Sequence, residues 1–244
     1  MKLLISLCLL AVWLPAAVRP IRTSSEVGIE NDTARIVFDA RTGQLLSLKN
    51  VSRGDEYLKE RRDNGGPFTI YSDFRAEFLV AAQGSAFRTS SDPAQVAALA
   101  VSPRRCRLTD ASFLRVTGGL TLQLTYEDLE ARWRTDLEVR LADRGGNSDW
   151  ELRVTNLRPE PVTMLAAFPD ISGFRLGPDG ATNMQTTLRE AGGITPAWSK
   201  DGGIYGDGGK VSMQWHALFD RPAGDYFGLI VMDPEMSGKA ASMV

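Results

Sequence analysis

Apolar and polar side chains alternate strictly over long stretches of this chain, and this pattern constrains the fold most. In residues 133–141 the odd positions are apolar or threonine, whereas the even positions are charged. Residues 120–126 alternate in the same way, with polar partners between the apolar positions. Successive side chains of a β-strand point to opposite faces, so each such strand has one buried and one solvated face. Because helical spacing hardly occurs, the sequence predicts an all-β fold, a large antiparallel β-sandwich.

Turn residues separate the alternating stretches. Residues 36–38 and 45–48 flank a turn that contains Gly43, which can take a positive φ, so these strands are predicted to form a β-hairpin. A second turn at residues 145–147 leads into a strand at 150–154, and an apolar alternation at 162–168 follows it. Together these segments predict an antiparallel meander.

Two segments depart from this pattern. Residues 93–101 collect Ala, Gln and Val between Ser and Pro, which favours a short helix or a loop. Residues 173–209 are rich in glycine, and the strand pattern resumes only at Val211, so we expect a long decorated loop there. Loops of this length inside a compact domain are usually functional or disordered. Trp198 and Tyr205 within it argue against plain disorder.

The N-terminus has the three-part build of an export signal. Lys2 is followed by an apolar run at residues 3–14 that only Ser6 interrupts, and Pro and Ala follow at residues 15–17. The run is shorter than the about 20 apolar residues that span a bilayer. A buried N-terminal strand or helix is the alternative interpretation of the same residues.

This pattern predicts a division of the chain into two parts. We expect residues 1–18 to be a signal peptide that is cleaved near Ala17, and residues 19–244 to be the exported β-sandwich domain. The protein is then secreted or periplasmic, with no membrane span after signal cleavage.

Composition excludes some function classes. The chain has 244 residues, of which 43% are hydrophobic, enough for one large β domain or two small ones. Its 28 basic and 30 acidic residues give a net charge of −2, and no stretch gathers like charges. The electrostatic footprint that nucleic-acid binding requires is therefore missing.

Cysteine usage bears on both metal binding and reactivity. Loss of the signal removes Cys8, so the mature chain keeps Cys106 alone and can form neither an intrachain disulfide nor a cysteine-based metal site. We expect no metal and no cofactor. Cys106 lies between Arg105 and Arg107, which suggests a lowered pKa and some reactivity, with a structural role as the default interpretation.

Three segments together resemble a known family. Residues 35–48 have a strand, turn, Gly, strand layout, residues 150–173 end in Phe-Pro-Asp-Ile-Ser-Gly, and residues 213–215 are Met-Gln-Trp. This resembles the galactose-mutarotase-like β-sandwich that precedes the catalytic barrel of several large glycosidases, and more narrowly an uncharacterised bacterial glycosidase-like family. The resemblance covers most of residues 27–236. It implies a sandwich followed by a catalytic barrel, so we expect the full protein to continue past Val244, with the domain incomplete at its C-terminus.

The acids of the C-terminal third offer little for catalysis. Glycoside hydrolysis needs two carboxyls across the scissile bond, about 5 to 9.5 Å apart. Most acids in this region lie beside glycine or proline, where Asp commonly stabilises turns; they are Asp201, Asp207, Asp220, Asp225 and Asp233. A sugar epimerase of this fold needs catalytic histidines, but His216 is the only histidine. We therefore predict no catalytic residue in this chain.

Four residues are the predicted sugar-binding set. Gln214 and His216 alternate with Met213, Trp215 and Ala217 along one strand. Either the two sets divide solvent from core, or Gln214 and His216 lie on a concave sheet face and contact sugar hydroxyls. The remaining two have aromatic rings, which either stack on a sugar ring or anchor their loops to the sandwich; they are Trp198 and Tyr205.

Three functions fit these observations. The first is an accessory carbohydrate-binding sandwich of a secreted glycoside-hydrolase-like protein, whose downstream barrel performs the catalysis. The second is a stand-alone, non-catalytic module that binds carbohydrate or acts at the cell surface. The third is a structural sandwich of an exported protein without a ligand.

Overall fold

The structure is a computed structural model that describes residues 17–58, 66–72, 80–82, 85–88, 100–162, 164–171, 173–174, 176, 184–190, 193–199, 203–206, 211–220, 225–230 and 240–243. Only the strand backbone is described at residues 72, 80–82, 85–88, 100, 165, 167 and from 184 onward. The predicted signal peptide, apart from Ala17 and Val18, lies outside the described residues. So does the predicted helix or loop at 93–101, apart from its last two residues.

The fold is all-β and sandwich-like, as predicted. The strands in chain order are β1 (Arg19–Arg22), β2 (Glu26–Glu30), β3 (Ala34–Asp39), β4 (Leu45–Asn50), β5 (Asp55–Glu56), β6 (Thr69–Ser72), β7 (Val80–Ala82), β8 (Ser85–Arg88), β9 (Ala100–Val101), β10 (Cys106–Val116), β11 (Gly119–Asp128), β12 (Trp133–Ala142), β13 (Ser148–Asn156), β14 (Met164–Ala167), β15 (Met184–Glu190), β16 (Gly193–Ser199), β17 (Gly203–Gly206), β18 (Val211–Asp220), β19 (Asp225–Ile230) and β20 (Ala240–Met243). A short 3-10 helix, Pro103–Arg105, precedes β10. Among the residues described, no helix has the length and apolarity that a bilayer crossing needs.

The first sheet contains β1 to β5 in sequential order. Its hairpin between β3 and β4 confirms the predicted turn, because Gly43 has a φ of +70°. The Asp39 carboxylate fixes this turn by accepting hydrogen bonds from the backbone N–H groups of Arg41 and Thr42, at 2.9 and 2.7 Å. An aspartate that binds the N–H groups following it stabilises such turns.

The second sheet is the meander β10-β11-β12-β13, and it confirms the alternation described above. Along β12 every odd position from Trp133 to Leu141 is buried, and the even positions are exposed or half-buried. The register pairs Leu122 with Val139, and Val139 with Trp150, so the apolar positions form continuous rows across the sheet. Such rows produce one apolar face for the whole meander.

The prediction that residues 162–168 extend this meander is wrong. Strand β14 pairs with β6 instead, in a separate sheet of order β14-β6-β9. Pro159 and Pro161 lie between β13 and β14 and have no backbone N–H to donate, so the chain cannot fold straight back along β13.

One core joins the first sheet to the meander. The rings of Phe68 and Tyr126 meet edge to face with their centroids 5.1 Å apart, and Phe38 lies 6.0 Å from Trp150. The buried Tyr126 hydroxyl donates a hydrogen bond to the carbonyl oxygen of Gly43, at 2.9 Å. This bond ties the β3–β4 turn of the first sheet to β11 of the meander.

The prediction of one long loop at residues 173–209 is wrong. Strands β15, β16 and β17 lie in this range, and β15 and β16 belong to a sheet of order β16-β15-β18-β19. Gly193 and Gly203 are the first residues of β16 and β17. The predicted strand from Val211 is confirmed as β18.

Candidate functional site

Three of the four predicted sugar-binding residues belong to the sheet β16-β15-β18-β19, although their side chains lie outside the described residues. Trp198 lies in β16, and Gln214 and His216 lie in β18. Both strands flank β15, because Thr186 pairs with Ala197 on one side and with His216 on the other. Neighbouring strands are about 4.8 Å apart, so the two backbones are about 10 Å apart.

The register places Trp198 and His216 in different rows. Trp198 shares a row with Gln185 and Ala217, whereas His216 shares the next row with Thr186. Adjacent rows of a sheet belong to opposite faces, and alternate positions of one strand belong to the same face. The backbone therefore separates the position of His216 from that of Trp198, whereas Gln214 lies in the irregular stretch of β18 between the paired residues His216 and Val211.

Tyr205 lies in a different sheet. It belongs to β17, which pairs with β20 so that Tyr205 is opposite Ala241. The expectation that Trp198 and Tyr205 stand in a loop is wrong, since both lie in strands.

A half-buried carboxyl that the sequence pattern does not single out, Asp170, lies shortly after β14. Asp170 follows the cis peptide bond between Phe168 and Pro169. Its Oδ2 accepts a hydrogen bond from the Thr69 hydroxyl at 2.5 Å, and its backbone N–H donates to the Pro67 carbonyl at 3.0 Å. These contacts fasten the segment after β14 to the start of β6.

Burial perturbs the titration of this cluster. It raises the pKa of Asp170, and the hydrogen bond from Thr69 acts in the opposite direction. Burial also raises the pKa of Tyr71, and the nearby Asp170 carboxylate adds to that rise. A carboxyl with a raised pKa in its protonated form can donate as well as accept a hydrogen bond. Among the residues that the structure describes, Asp170 contacts a hydroxyl and backbone but no second carboxyl, and glycoside hydrolysis needs two acids.

A polar groove opens between the first sheet and the meander. Its volume is about 320 Å³, and its lining includes Arg22, Glu26 and Asp110. The Arg22 guanidinium lies over the Phe113 ring, 5.2 Å from its centroid, and donates a hydrogen bond to the Ala111 carbonyl. Arg22 therefore bridges the two sheets, which is a structural role.

Cys106 is not a reactive thiol, which corrects the hypothesis of a lowered pKa. Burial, together with the Asp128 carboxylate, raises its pKa to about 12, while Arg105 and Arg132 act in the opposite direction. The Arg107 side chain is 70% exposed and its guanidinium pairs with Glu127 at 3.2 Å, so its charge is not directed at the Cys106 thiol. A buried thiol with a high pKa is inert at neutral pH, so the structural interpretation holds.

The comparisons with known proteins leave the geometry as the basis for function. No family model matches the chain, and no curated protein matches it. In the described part of the chain, no group of three or more His, Cys, Asp or Glu side chains could hold a metal ion.

Proposed function

We propose that this chain is an accessory carbohydrate-binding β-sandwich of an exported glycoside-hydrolase-like protein, secreted or periplasmic. The observation that supports it most is the backbone placement of Gln214 and His216. They stand two residues apart on β18, which is an inner strand of its sheet, between β15 and β19. Binding sites on strands of a rigid scaffold hold their geometry better than sites on loops.

The chemistry of these two residues suits sugar hydroxyls. A glutamine side chain offers an acceptor oxygen and a donor NH₂ group, and a neutral histidine offers one donor and one acceptor nitrogen. A sugar hydroxyl is both donor and acceptor, so neutral groups of this kind can satisfy it without the desolvation that a buried charge requires. At His216 the strand is paired on both sides, with Thr186 and with Leu229, which leaves recognition there to the side chain.

The same residues argue for binding rather than catalysis. His216 is the only histidine of the sequence, and Asp170 is held by Thr69 rather than by a second carboxyl. We therefore assign the hydrolytic chemistry to a downstream barrel domain of the full-length protein, with this sandwich contacting the poly- or oligosaccharide beside it.

Binding of the purified chain to an array of oligosaccharides tests the proposal. Gln214→Ala and His216→Ala are each expected to weaken binding to the best glycan about tenfold, since a lost hydrogen bond is worth about 1 to 1.5 kcal/mol. Trp198→Ala is the matched control, because its position belongs to the other face of the same sheet. Circular dichroism establishes that each variant is folded.

Two outcomes contradict the proposal. One is that the folded chain binds no glycan on the array. The other is that binding persists unchanged in both the Gln214 and the His216 variants, which would place the site elsewhere.

A further inference from the structure

The first described residues are anchored to the sandwich at Val18. The Val18 side chain is 1% exposed and belongs to the hydrophobic core, whereas Ala17 is exposed. The backbone N–H of Val18 donates a hydrogen bond to Oδ1 of Asp143 at 3.1 Å, and its carbonyl accepts one from Arg115 at 2.6 Å. Both backbone groups of this residue are thus bound to side chains of the meander.

Asp143 is held in place for this contact. Its backbone N–H donates to the Gly118 carbonyl at 2.8 Å, which ties the end of β12 to the turn between β10 and β11. Its Oδ1 also accepts a hydrogen bond from Arg115 at 3.1 Å. A charged acceptor is therefore positioned at the nitrogen atom of Val18. The N–H group of a neutral amide would need only one neutral acceptor at this place.

We infer that Val18 is the first residue of the mature protein, so that the signal peptide ends at Ala17 rather than at residue 18, and that the free α-ammonium group of Val18 binds the Asp143 carboxylate. An export-signal peptidase hydrolyses the bond between Ala17 and Val18. The oxygen of a water molecule bonds to the Ala17 carbonyl carbon as the C–N bond breaks, so Ala17 leaves as a carboxylate. Both protons of that water are transferred to the Val18 nitrogen, which becomes an ammonium group. The inference rests on the export pattern at residues 2–17 and is independent of sugar binding.

The structure distinguishes this bond from its neighbours. Cleavage after Val18 would remove a core side chain and both of its backbone contacts. Cleavage before Ala17 would leave a neutral amide at the Asp143 carboxylate. Hydrogen bonds between charged groups are roughly twice as strong as those between neutral groups. The Asp143 carboxylate therefore binds an ammonium group at Val18 more strongly than it binds an amide N–H.

The first experiment is to identify the N-terminus directly. The full chain, with its own residues 1–17, is expressed in a bacterial host with an export pathway, and the exported product is analysed by intact mass and by labelling of its α-amine. The expected first residue is Val18. A product that begins at any other residue, or that is not cleaved, overturns the inference.

The second experiment tests the ion pair with two purified chains, one beginning at Val18 and one beginning at Ala17. Asp143→Asn is introduced into both, and urea unfolding is measured. The substitution is expected to raise the unfolding equilibrium constant about tenfold more in the chain that begins at Val18. Asp149→Asn, at an exposed position of β13, is the control and should act equally on both chains. An equal effect of Asp143→Asn on both chains overturns the ion pair.

Discussion

The contact between Gly43 and Tyr126 predicts a large loss of stability from a single added methyl group. Gly43 has a φ of +70°, and a Cβ atom built on it would overlap the Tyr126 ring, with Cζ and Oη at 2.7 Å. Carbon atoms in contact are normally about 3.5 to 4.0 Å apart. Gly43→Ala must therefore displace either the β3–β4 turn or a tyrosine that is fully buried.

Two effects add in this variant. The left-handed backbone conformation costs an alanine about 1 to 2 kcal/mol, part of which is recovered because alanine restricts the unfolded chain. Displacement of the ring strains the core by about 1 to 3 kcal/mol, and loss of the buried hydrogen bond to the Gly43 carbonyl costs about 1 to 3 kcal/mol. We expect Gly43→Ala to lower the free energy of unfolding by about 3 to 6 kcal/mol.

Gly118→Ala separates the two effects. Gly118 has a similar φ of +73°, but a Cβ atom there meets nothing within 4 Å. Its expected loss is about 1 kcal/mol, from the backbone alone. Tyr126→Phe removes only the hydroxyl and should cost about 1 to 3 kcal/mol. Urea unfolding followed by tryptophan fluorescence measures all three variants. If Gly43→Ala costs no more than Gly118→Ala, the argument from overlap with Tyr126 is refuted.

The other predictions concern titration. The pKa of Cys106 is raised from its ordinary 9.0 to about 12. The neutral thiol therefore stabilises the folded chain fully below pH 9.0, and the free energy of unfolding falls by about 4 kcal/mol as pH rises towards 12. Cys106→Ala should reduce this loss, measured as the urea midpoint at increasing pH. Burial acts to raise the pKa of Glu30, but hydrogen bonds from Arg19 and Arg35 outweigh it and lower the pKa. The ionised Glu30 carboxylate therefore stabilises the folded chain above its ordinary pKa of 4.5, and this contribution is lost as pH falls. Glu30→Gln should lower the free energy of unfolding at neutral pH and should make it depend less on pH in the acid range. The raised pKa of Asp170 has the opposite effect on stability. Its protonated carboxyl stabilises the folded chain below the ordinary pKa of 3.8, and this contribution is lost as pH rises. Asp170→Asn, which keeps an acceptor for Thr69, should be at least as stable as the wild type at neutral pH; a clear loss there would contradict the prediction.

Local pattern predicted the local structure of this protein. The alternation in residues 120–141 and the glycine at position 43 are properties of short segments, and the strands and turn they predict are present. Pairing between distant segments could not be predicted in this way. The apolar alternation at 162–168 was compatible with either neighbour, and only the tertiary fold pairs β14 with β6.

The same contrast between local pattern and contacts between distant segments applies to the candidate site. The strand that carries Gln214 and His216 follows from alternation, and it is present as β18. The cluster at Asp170 depends on Thr69, which lies 101 residues earlier in the chain, so no local signal identifies it. The hypothesis of a lowered pKa at Cys106 is wrong for the same reason, since burial and Asp128 outweigh the opposite effect of Arg105 beside it in sequence.

The pairing of β14 with β6 has a consequence for how the chain matures. Among the described strands, β10 to β13 pair with their sequence neighbours alone, so each hairpin can close soon after it is synthesised. Strand β6 must wait for β14, its partner across Tyr71 and Leu165, while the whole meander is made. An unpaired edge beside the apolar Phe68 and Ile70 is a template for aggregation. We expect nascent chains that end before β14 to aggregate most readily. Binding of chaperones to the nascent chain should decrease once β14 has left the ribosome.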